Sequence, residues 1–182
     1  MPENPFDKTD VTTTETIDVP TAEDMRALGR RLATELRAGD LLVLTGPLGA
    51  GKTTLVQGIG DGLGVRGPIT SPTFVIARVH PSLVGGPALV HADAYRIGGI
   101  AEIDDLDLDA STDSSVTVVE WGEGLAEGLA DDRLEIAIEL RGDTSGDTSG
   151  DPSGETGGGP RTVRLTGIGP RWAADHHRIV RV

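Results

Sequence analysis

The sequence predicts an α/β fold: a single domain with a central mixed sheet flanked by helices. Leu41 to Thr45 is uniformly apolar, as expected for a strand covered on both faces, and a glycine-rich turn and a helical segment follow it. Arg133 to Arg141 alternates strictly between apolar and polar residues, and Arg161 to Thr166 is its expected hairpin partner. At 182 residues, the chain is long enough for one domain with a substantial core.

The segments before the apolar strand predict a tail, a strand and a helix. Residues 1–15 are rich in Thr, Pro and acidic residues, so we expect a disordered acidic tail. Thr16 to Val19 is predicted to be a short edge strand. Thr21 to Asp24 resembles a capping box, and it opens an amphipathic helix that is expected to end at Gly39. The apolar face of this helix consists of Met25, Leu28, Leu32 and Leu36.

The segments after the glycine-rich turn predict a further helix and three strands. Phe74 to His80 and Ala88 to Ala92 are expected to pair as a hairpin, and Ser115 to Val119 is another apolar strand. Ile100 to Leu108 is a candidate for a short acidic helix. The helix directly after the turn is expected to be broken up by its glycines, which are Gly60, Gly62 and Gly64.

A low-complexity insertion occupies residues 142–159, between two predicted strands. It repeats Gly, an acidic residue and small polar residues, and such a composition cannot form a packed core. We therefore predict an elongated, solvated hairpin loop that costs little stability. The domain is predicted to span residues 16–182, with this insertion as an appendage.

The composition argues against several classes of function. The chain has no cysteine, which excludes disulfides, thiol catalysis and cysteine-ligated zinc. There is no apolar run of membrane-spanning length, and Met1 to Asp7 does not resemble a signal peptide, so we expect a cytoplasmic protein without a membrane partner. The formal net charge of −13 disfavours unaided binding to RNA or DNA, because phosphate contacts need Lys and Arg.

A long acidic run lies between Arg96 and Arg133, where the chain has no Lys or Arg. Such a run is most often a solvated face, and the alternative is a docking surface for a basic partner. Its acidic residues are Glu102, Asp104, Asp105, Asp107, Asp109, Asp113, Glu120, Glu123, Glu127, Asp131 and Asp132.

The strongest functional signal is the glycine-rich turn. Gly46, Gly51, Lys52 and Thr53 match the G-x-x-x-x-G-K-[ST] spacing of a nucleotide-phosphate loop, and Gly49 strengthens the match. Glycines let backbone N–H groups turn toward an anion, and the following helix directs its positive N-terminal end to the same place. We expect Lys52 to reach the β- and γ-phosphates and the Thr53 hydroxyl to ligate Mg²⁺. The fold class is therefore refined to a P-loop NTPase-type domain.

A phosphate loop also needs a metal-supporting acid, which normally stands at the end of a neighbouring strand. Two residues meet this description, because Asp93 follows the run Leu89 to Ala92 and Glu120 follows Val116 to Val119. We assign Glu120 to Mg²⁺. Asp93 is then expected near the γ-phosphate, where it orients water or senses the nucleotide state. Lys52, Asp93 and Glu120 are the predicted catalytic residues.

Two further segments have open interpretations. Ser71 to Phe74 follows the loop helix, where many such enzymes carry a segment that responds to the γ-phosphate, and an ordinary proline turn is the alternative. Arg96 is a candidate contact to phosphate, to a partner or to the acidic run. His176 and His177 are interpreted as ordinary surface residues rather than metal ligands.

Four motifs occur in a fixed order: Gly-Pro-Leu-Gly-Ala-Gly-Lys-Thr-Thr, Ser-Pro-Thr-Phe, His91-Ala-Asp-Ala-Tyr-Arg96 and Val-Val-Glu-Trp121. This ordered set resembles the bacterial TsaE family, formerly called YjeE, over roughly residues 16–166. The resemblance implies a small P-loop α/β protein that binds ATP and Mg²⁺ and hydrolyses ATP slowly by itself. It also implies TsaB and TsaD as partners, which transfer threonylcarbamate to the adenosine beside the tRNA anticodon, so that tRNA is contacted only through the complex.

The resemblance also implies residue roles. Gly49 to Thr54 cradle the phosphates, Thr53 and Glu120 hold Mg²⁺, and Asp93 contacts the nucleotide region. Trp121 and the segment 93–96 are implied to be coupled to partners. The whole predicted nucleotide site is Gly46, Gly49, Ala50, Gly51, Lys52, Thr53, Thr54, Asp93 and Glu120.

Other nucleotide-dependent functions stay open as alternatives. A small-molecule kinase usually closes an Arg-bearing lid over its acceptor, and residues 97–132 contain no basic residue. In a non-catalytic, nucleotide-dependent interaction module, Glu120 would be dispensable. A GTPase is disfavoured because the sequence has no Asn-Lys-x-Asp guanine-reading motif.

Overall fold

A computed structural model describes residues 12–71, 77–93, 113–121, 130, 132–141 and 159–172, and it confirms the α/β fold. Its strands form one seven-stranded mixed sheet in the order β1-β7-β6-β2-β5-β4-β3. The elements are β1 (Thr12–Val19), α1 (Ala22–Glu35), β2 (Leu41–Thr45), α2 (Lys52–Leu63), β3 (Ala77–His80), β4 (Ala88–Asp93), β5 (Ser115–Glu120), β6 (Arg133–Leu140) and β7 (Arg161–Ile168).

The middle of the sheet is parallel and buried. Strand β2 pairs in parallel with β5 on one side and with β6 on the other, and β5 pairs in parallel with β4. The apolar run Leu41–Leu44 is fully buried, as predicted for a strand covered on both faces. Because parallel strands share one direction, the carboxyl ends of β2, β4 and β5 lie along the same edge of the sheet.

Antiparallel strands complete the sheet on both sides. β3 and β4 pair as the predicted hairpin, and β6 pairs with β7 as predicted. Strand β1 pairs with β7 from Thr12 to Val19, so the strand begins four residues earlier than the predicted Thr16. The prediction of a tail through residue 15 was wrong because pairing with β7 holds residues 12–15 in the strand, and their sequence Thr-Thr-Thr-Glu has no alternation of apolar and polar residues.

Helix α1 packs against α2, and local hydrogen bonds define both of its ends. The predicted capping box is present, since the Thr21 Oγ1 atom accepts from the Asp24 N–H at 3.1 Å and Asp24 Oδ2 accepts from the Thr21 N–H at 3.1 Å. Helix α1 ends at Glu35, not at Gly39, because residues 36–40 form the turn into β2, in which the Asp40 carboxylate accepts the Arg37 N–H at 2.7 Å.

The glycines of α2 do not break the helix, contrary to the prediction. The helix continues through Gly60 and Gly62 to Leu63, and only Gly64, at φ +67°, ends it. A Cβ atom at Gly62 would meet the backbone of Arg30 on α1, and one at Gly60 would overlap the side chain of Ile69. These residues are small because neighbouring groups approach the helix closely.

Several predictions concern residues outside the described ranges. They include the N-terminal part of the tail, the strand residues before Ala77, the acidic helix at 100–108, most of the acidic run, nearly all of the insertion and the histidine pair 176–177. In the part of the chain that is described, no helix is long and apolar enough to cross a membrane.

Removing the insertion tests whether it contributes to the fold. The β6–β7 ladder extends to Leu140 and Arg161, and the Arg141 N–H donates to the Pro160 carbonyl at 3.0 Å. Deletion of residues 143–158 leaves Gly142 and Gly159 as a Gly-Gly turn, which is of a preferred hairpin type. We expect the unfolding free energy to change by no more than about 2 kcal/mol, measured by denaturant unfolding beside the intact chain. Loss of cooperative unfolding would show that the insertion is part of the core.

Candidate functional site

The glycine-rich turn connects β2 to α2 with an unusual backbone path. Gly46, Gly49 and Gly51 have φ angles of +149°, +78° and +104°, in the region that favours glycine. A Cβ on Gly46 would lie 2.7 Å from the Ile138 carbonyl oxygen, so this position also requires glycine for space. The N-cap of α2 is Gly51, which has no side chain to cap the first N–H groups of the helix. The glycine backbone of the turn and the positive end of the α2 dipole therefore suit an anion.

The Lys52 side chain is buried within this turn. Its Nζ atom donates to the carbonyl oxygens of Gly46 at 2.7 Å and Pro47 at 3.1 Å, and it lies 4.0 Å from the centroid of the Trp121 ring. Burial lowers the pKa of Lys52, and the carboxylates of Glu120 and Asp93 act in the opposite direction. The site thus combines a desolvated cation with two acids that favour its charged form.

The two predicted acids are the last residues of neighbouring strands. Asp93 ends β4 and Glu120 ends β5, and they are register partners in the parallel ladder. Glu120 also pairs in register with Leu44 of β2, just before the glycine-rich turn. Both acids are buried, with 8% and 3% of their surface exposed. The sheet register therefore brings Lys52, Asp93 and Glu120 together at one edge.

Trp121 adopts a strained backbone conformation next to this cluster. Its φ angle is +59°, which is rare for a bulky residue and costs about 1–3 kcal/mol. Its N–H donates to the Leu44 carbonyl at 2.9 Å, so the chain stays attached to β2 while it leaves the sheet. The ring is thereby placed against the Lys52 ammonium group.

His91 belongs to the site, although no sequence pattern indicated a role for it. It lies on β4 two residues before Asp93, so both side chains share one face of the strand. The fully buried ring places Nε2 2.8 Å from Glu120 Oε1, and within the described residues Nδ1 has no hydrogen-bond partner. His91 therefore fixes the orientation of the Glu120 carboxylate. The alternation of β4 indicates that His91 and Asp93 share a face, but only the register with β5 reveals the contact.

The remaining predicted residues divide into two groups. Thr53 and Thr54 lie in the first turn of α2 and are partly exposed, and Ala50 is buried within the turn. Pro72 to Phe74 and the segment 94–96 lie outside the described residues.

The described residues do not form a metal site from protein side chains alone. These residues contain no group of three or more His, Asp or Glu side chains that could hold a metal ion. The predicted Mg²⁺ site does not need one, because Mg²⁺ in such sites takes one hydroxyl, one acid, water and phosphate oxygens.

The comparisons with known proteins all indicate one family. A family model described as "Threonylcarbamoyl adenosine biosynthesis protein TsaE" matches residues 19–147. The tRNA threonylcarbamoyladenosine biosynthesis protein TsaE of Streptomyces coelicolor is 72% identical over 101 residues, which cover 55% of this chain and 68% of that protein. The protein of the same name from Mycobacterium bovis is 53% identical over 118 residues, or 61% of this chain and 70% of that protein.

A solved structure has the same fold. The crystal structure of Bacillus subtilis YdiB matches with a TM-score of 0.69 at 27% sequence identity, and the match covers 92% of this chain and 95% of that chain. The mixed sheet with a glycine-rich turn between β2 and α2 is therefore a P-loop NTPase-like fold, as the sequence predicted.

A double-mutant cycle tests the buried His91–Glu120 pair. His91→Ala leaves a buried carboxylate without its partner, so we expect the unfolding free energy to fall by about 1–3 kcal/mol. Combining it with Glu120→Gln should reveal a coupling energy of about 0.5–3 kcal/mol in denaturant unfolding. Additive effects of the two changes would mean that the contact does not hold Glu120 in place.

Proposed function

Because the chain belongs to the TsaE family of tRNA threonylcarbamoyladenosine biosynthesis, we propose that it is the Mg²⁺-dependent ATPase subunit of that pathway. It acts with a TsaB–TsaD transferase complex and contacts tRNA only through that complex. The net charge of −13 supports this division of labour, since an acidic chain repels the tRNA backbone.

One observation carries the proposal: a buried lysine lies inside a glycine-rich turn, between an aromatic ring and two strand-end acids. The Lys52 ammonium group donates two hydrogen bonds within this turn, to the carbonyl oxygens of Gly46 and Pro47. A polyphosphate offers stronger, charged acceptors in the same region. The turn that holds Lys52 also has three glycines with positive φ angles, which let backbone N–H groups turn toward an anion, so the residues present fit a nucleoside triphosphate.

The residues of the site divide the work of phosphoryl transfer to water. The N–H groups of the turn bind the phosphates, and Lys52 exchanges its backbone acceptors for phosphate oxygens, where it offsets charge that develops in the transition state. Asp93 orients the attacking water or senses the γ-phosphate. Thr53 and Glu120 would hold Mg²⁺, which supplies charge neutralisation at the phosphate oxygens, and His91 keeps the Glu120 carboxylate oriented.

Replacing Lys52 tests the nucleotide site and the pathway role together. TsaB and TsaD purified from the same organism receive threonylcarbamoyl-adenylate and tRNA, and product is counted with and without this chain. We expect modification beyond one round only with the intact chain. Lys52→Ala should lose this effect and should weaken ATP binding roughly 10- to 150-fold in calorimetry, because a charge-assisted contact to phosphate is removed.

The matched control is Lys8→Ala, which replaces the other lysine of the chain and should leave both measurements unchanged. If Lys52→Ala binds ATP as well as the intact chain does, the phosphate-loop assignment fails. If the intact chain hydrolyses ATP but does not affect tRNA modification, the pathway assignment fails and a phosphate acceptor for a small-molecule kinase becomes the next target.

Glu120→Gln separates metal-assisted hydrolysis from nucleotide binding. Glutamine keeps the size of the side chain but removes the charge that Mg²⁺ requires, so we expect the ATPase rate to fall on the order of 10²-fold. ATP affinity measured in EDTA should stay near that of the intact chain. Normal hydrolysis would remove Glu120 from the metal role. Normal stimulation of TsaB–TsaD without hydrolysis would instead favour a nucleotide-dependent interaction module.

A further inference from the structure

Arg161, the first residue of β7, makes a set of contacts that no sequence motif indicated. Its side chain is buried, and its guanidinium donates to the Ala50 carbonyl from Nε at 2.7 Å and to the Gly49 carbonyl from Nη2 at 3.3 Å. A third bond runs from Nη1 to the Gly159 carbonyl at 2.9 Å. In the described part of the chain, these acceptors are all backbone carbonyls, and no carboxylate forms an ion pair with Arg161.

Burying a guanidinium without a paired carboxylate destabilises the fold unless its N–H groups donate hydrogen bonds to other acceptors. Here two of them serve a need of the glycine-rich turn itself. A turn whose N–H groups face an anion directs some of its carbonyls to the other side, where they must find donors. Arg161 supplies donors for two consecutive carbonyls of the turn, those of Gly49 and Ala50.

The planar guanidinium fixes orientation as well as position. Two donors in one rigid fork hold two successive peptide planes relative to each other, which a single flexible ammonium group cannot do. Because a trans peptide directs its N–H opposite to its C=O, holding the Ala50 carbonyl also fixes the direction of the Gly51 N–H. Arg161 further packs against Gly51, since its Nε lies 3.5 Å from the position of a Cβ there.

The topology explains how a residue so distant in sequence reaches the turn. Strand β6 runs parallel to β2, so its carboxyl end lies at the same edge as the turn, and β7 begins there because it runs antiparallel to β6. The contact between Arg161 and Ala50 spans 111 positions of the sequence. Arg161 is therefore presented to the back of the turn by the sheet and not by the phosphate-loop motif.

We propose that Arg161 is a positioning residue for the phosphate loop: it holds the Gly49 and Ala50 carbonyls so that the N–H groups of the loop face the bound phosphates. This rests on the proposed function in one respect, that the anion is the phosphate chain of ATP. Arg161 itself acts from behind the loop, through the backbone.

The test compares Arg161→Met and Arg161→Lys with Arg164→Met. Methionine keeps an unbranched apolar stem without donors, and lysine keeps the charge without the fork. Arg164 lies on the same strand but is exposed and pairs with Glu139 at 3.4 Å, so it is the matched control. Amide hydrogen exchange of residues 46–52 is measured without nucleotide and compared with that of α1, and ATP affinity is measured by calorimetry.

We expect loop amides in Arg161→Met to exchange about tenfold faster or more, with α1 unchanged, and ATP to bind about tenfold more weakly or worse. Arg161→Lys should fall between this variant and the intact chain, and Arg164→Met should match the intact chain. If Arg161→Met does not fold, Arg161→Lys decides the question. Loop exchange and ATP affinity equal to those of the intact chain, in a folded Arg161 variant, would overturn the proposal.

Failure of the proposed function has a different signature. If the intact chain binds no ATP, the nucleotide assignment fails, but the exchange experiment is run without nucleotide and still decides whether Arg161 orders the loop. Accelerated exchange throughout the protein, including α1, would show that Arg161 supports the whole fold and would overturn its specific role in the loop.

Discussion

The buried ammonium group of Lys52 is the constraint from which the arrangement of the site follows. A cation without water must find acceptors or neighbouring negative charge. The turn supplies the carbonyls of Gly46 and Pro47, the ring of Trp121 covers it, and Glu120 and Asp93 favour its charged form. The strain at Trp121 is consistent with this need, because its left-handed backbone is what turns the ring toward Lys52.

The features of the fold and the site that could be predicted are those that depend on local sequence. The glycine-rich turn, the apolar strands and the capping box are patterns of adjacent residues, and the structure has each of them where it was expected. Threonines on the edge strand gave no burial signal, so β1 was predicted too short. Glycines in α2 were interpreted as breaks because their real function, close packing against α1 and Ile69, depends on neighbours that the sequence does not reveal.

Contacts between residues far apart in the sequence could not be predicted for the same physical reason. His91 and Glu120 meet only because β4 and β5 pair in one register, and a slip of one residue would turn His91 to the other face of the sheet. Arg161 reaches the turn only because β6 lies between β7 and β2. A motif records which residues lie along the chain, whereas these contacts depend on which strands lie side by side.

The order of the strands places Arg161 and His91 on opposite sides of the glycine-rich turn. The turn follows β2, with β6 and then β7 on one side and β5 and then β4 on the other. Arg161 contacts the turn from β7, which is two strands from β2, and His91 contacts Glu120 from β4, which is the strand next to β5. The carboxyl ends of β2, β5 and β4 bring the turn, Glu120 and Asp93 to one edge of the sheet, where Arg161 contacts the turn and His91 contacts the Glu120 carboxylate. We therefore expect a change at Arg161 or His91 to alter the geometry of the site without replacing a residue of the phosphate-loop motif.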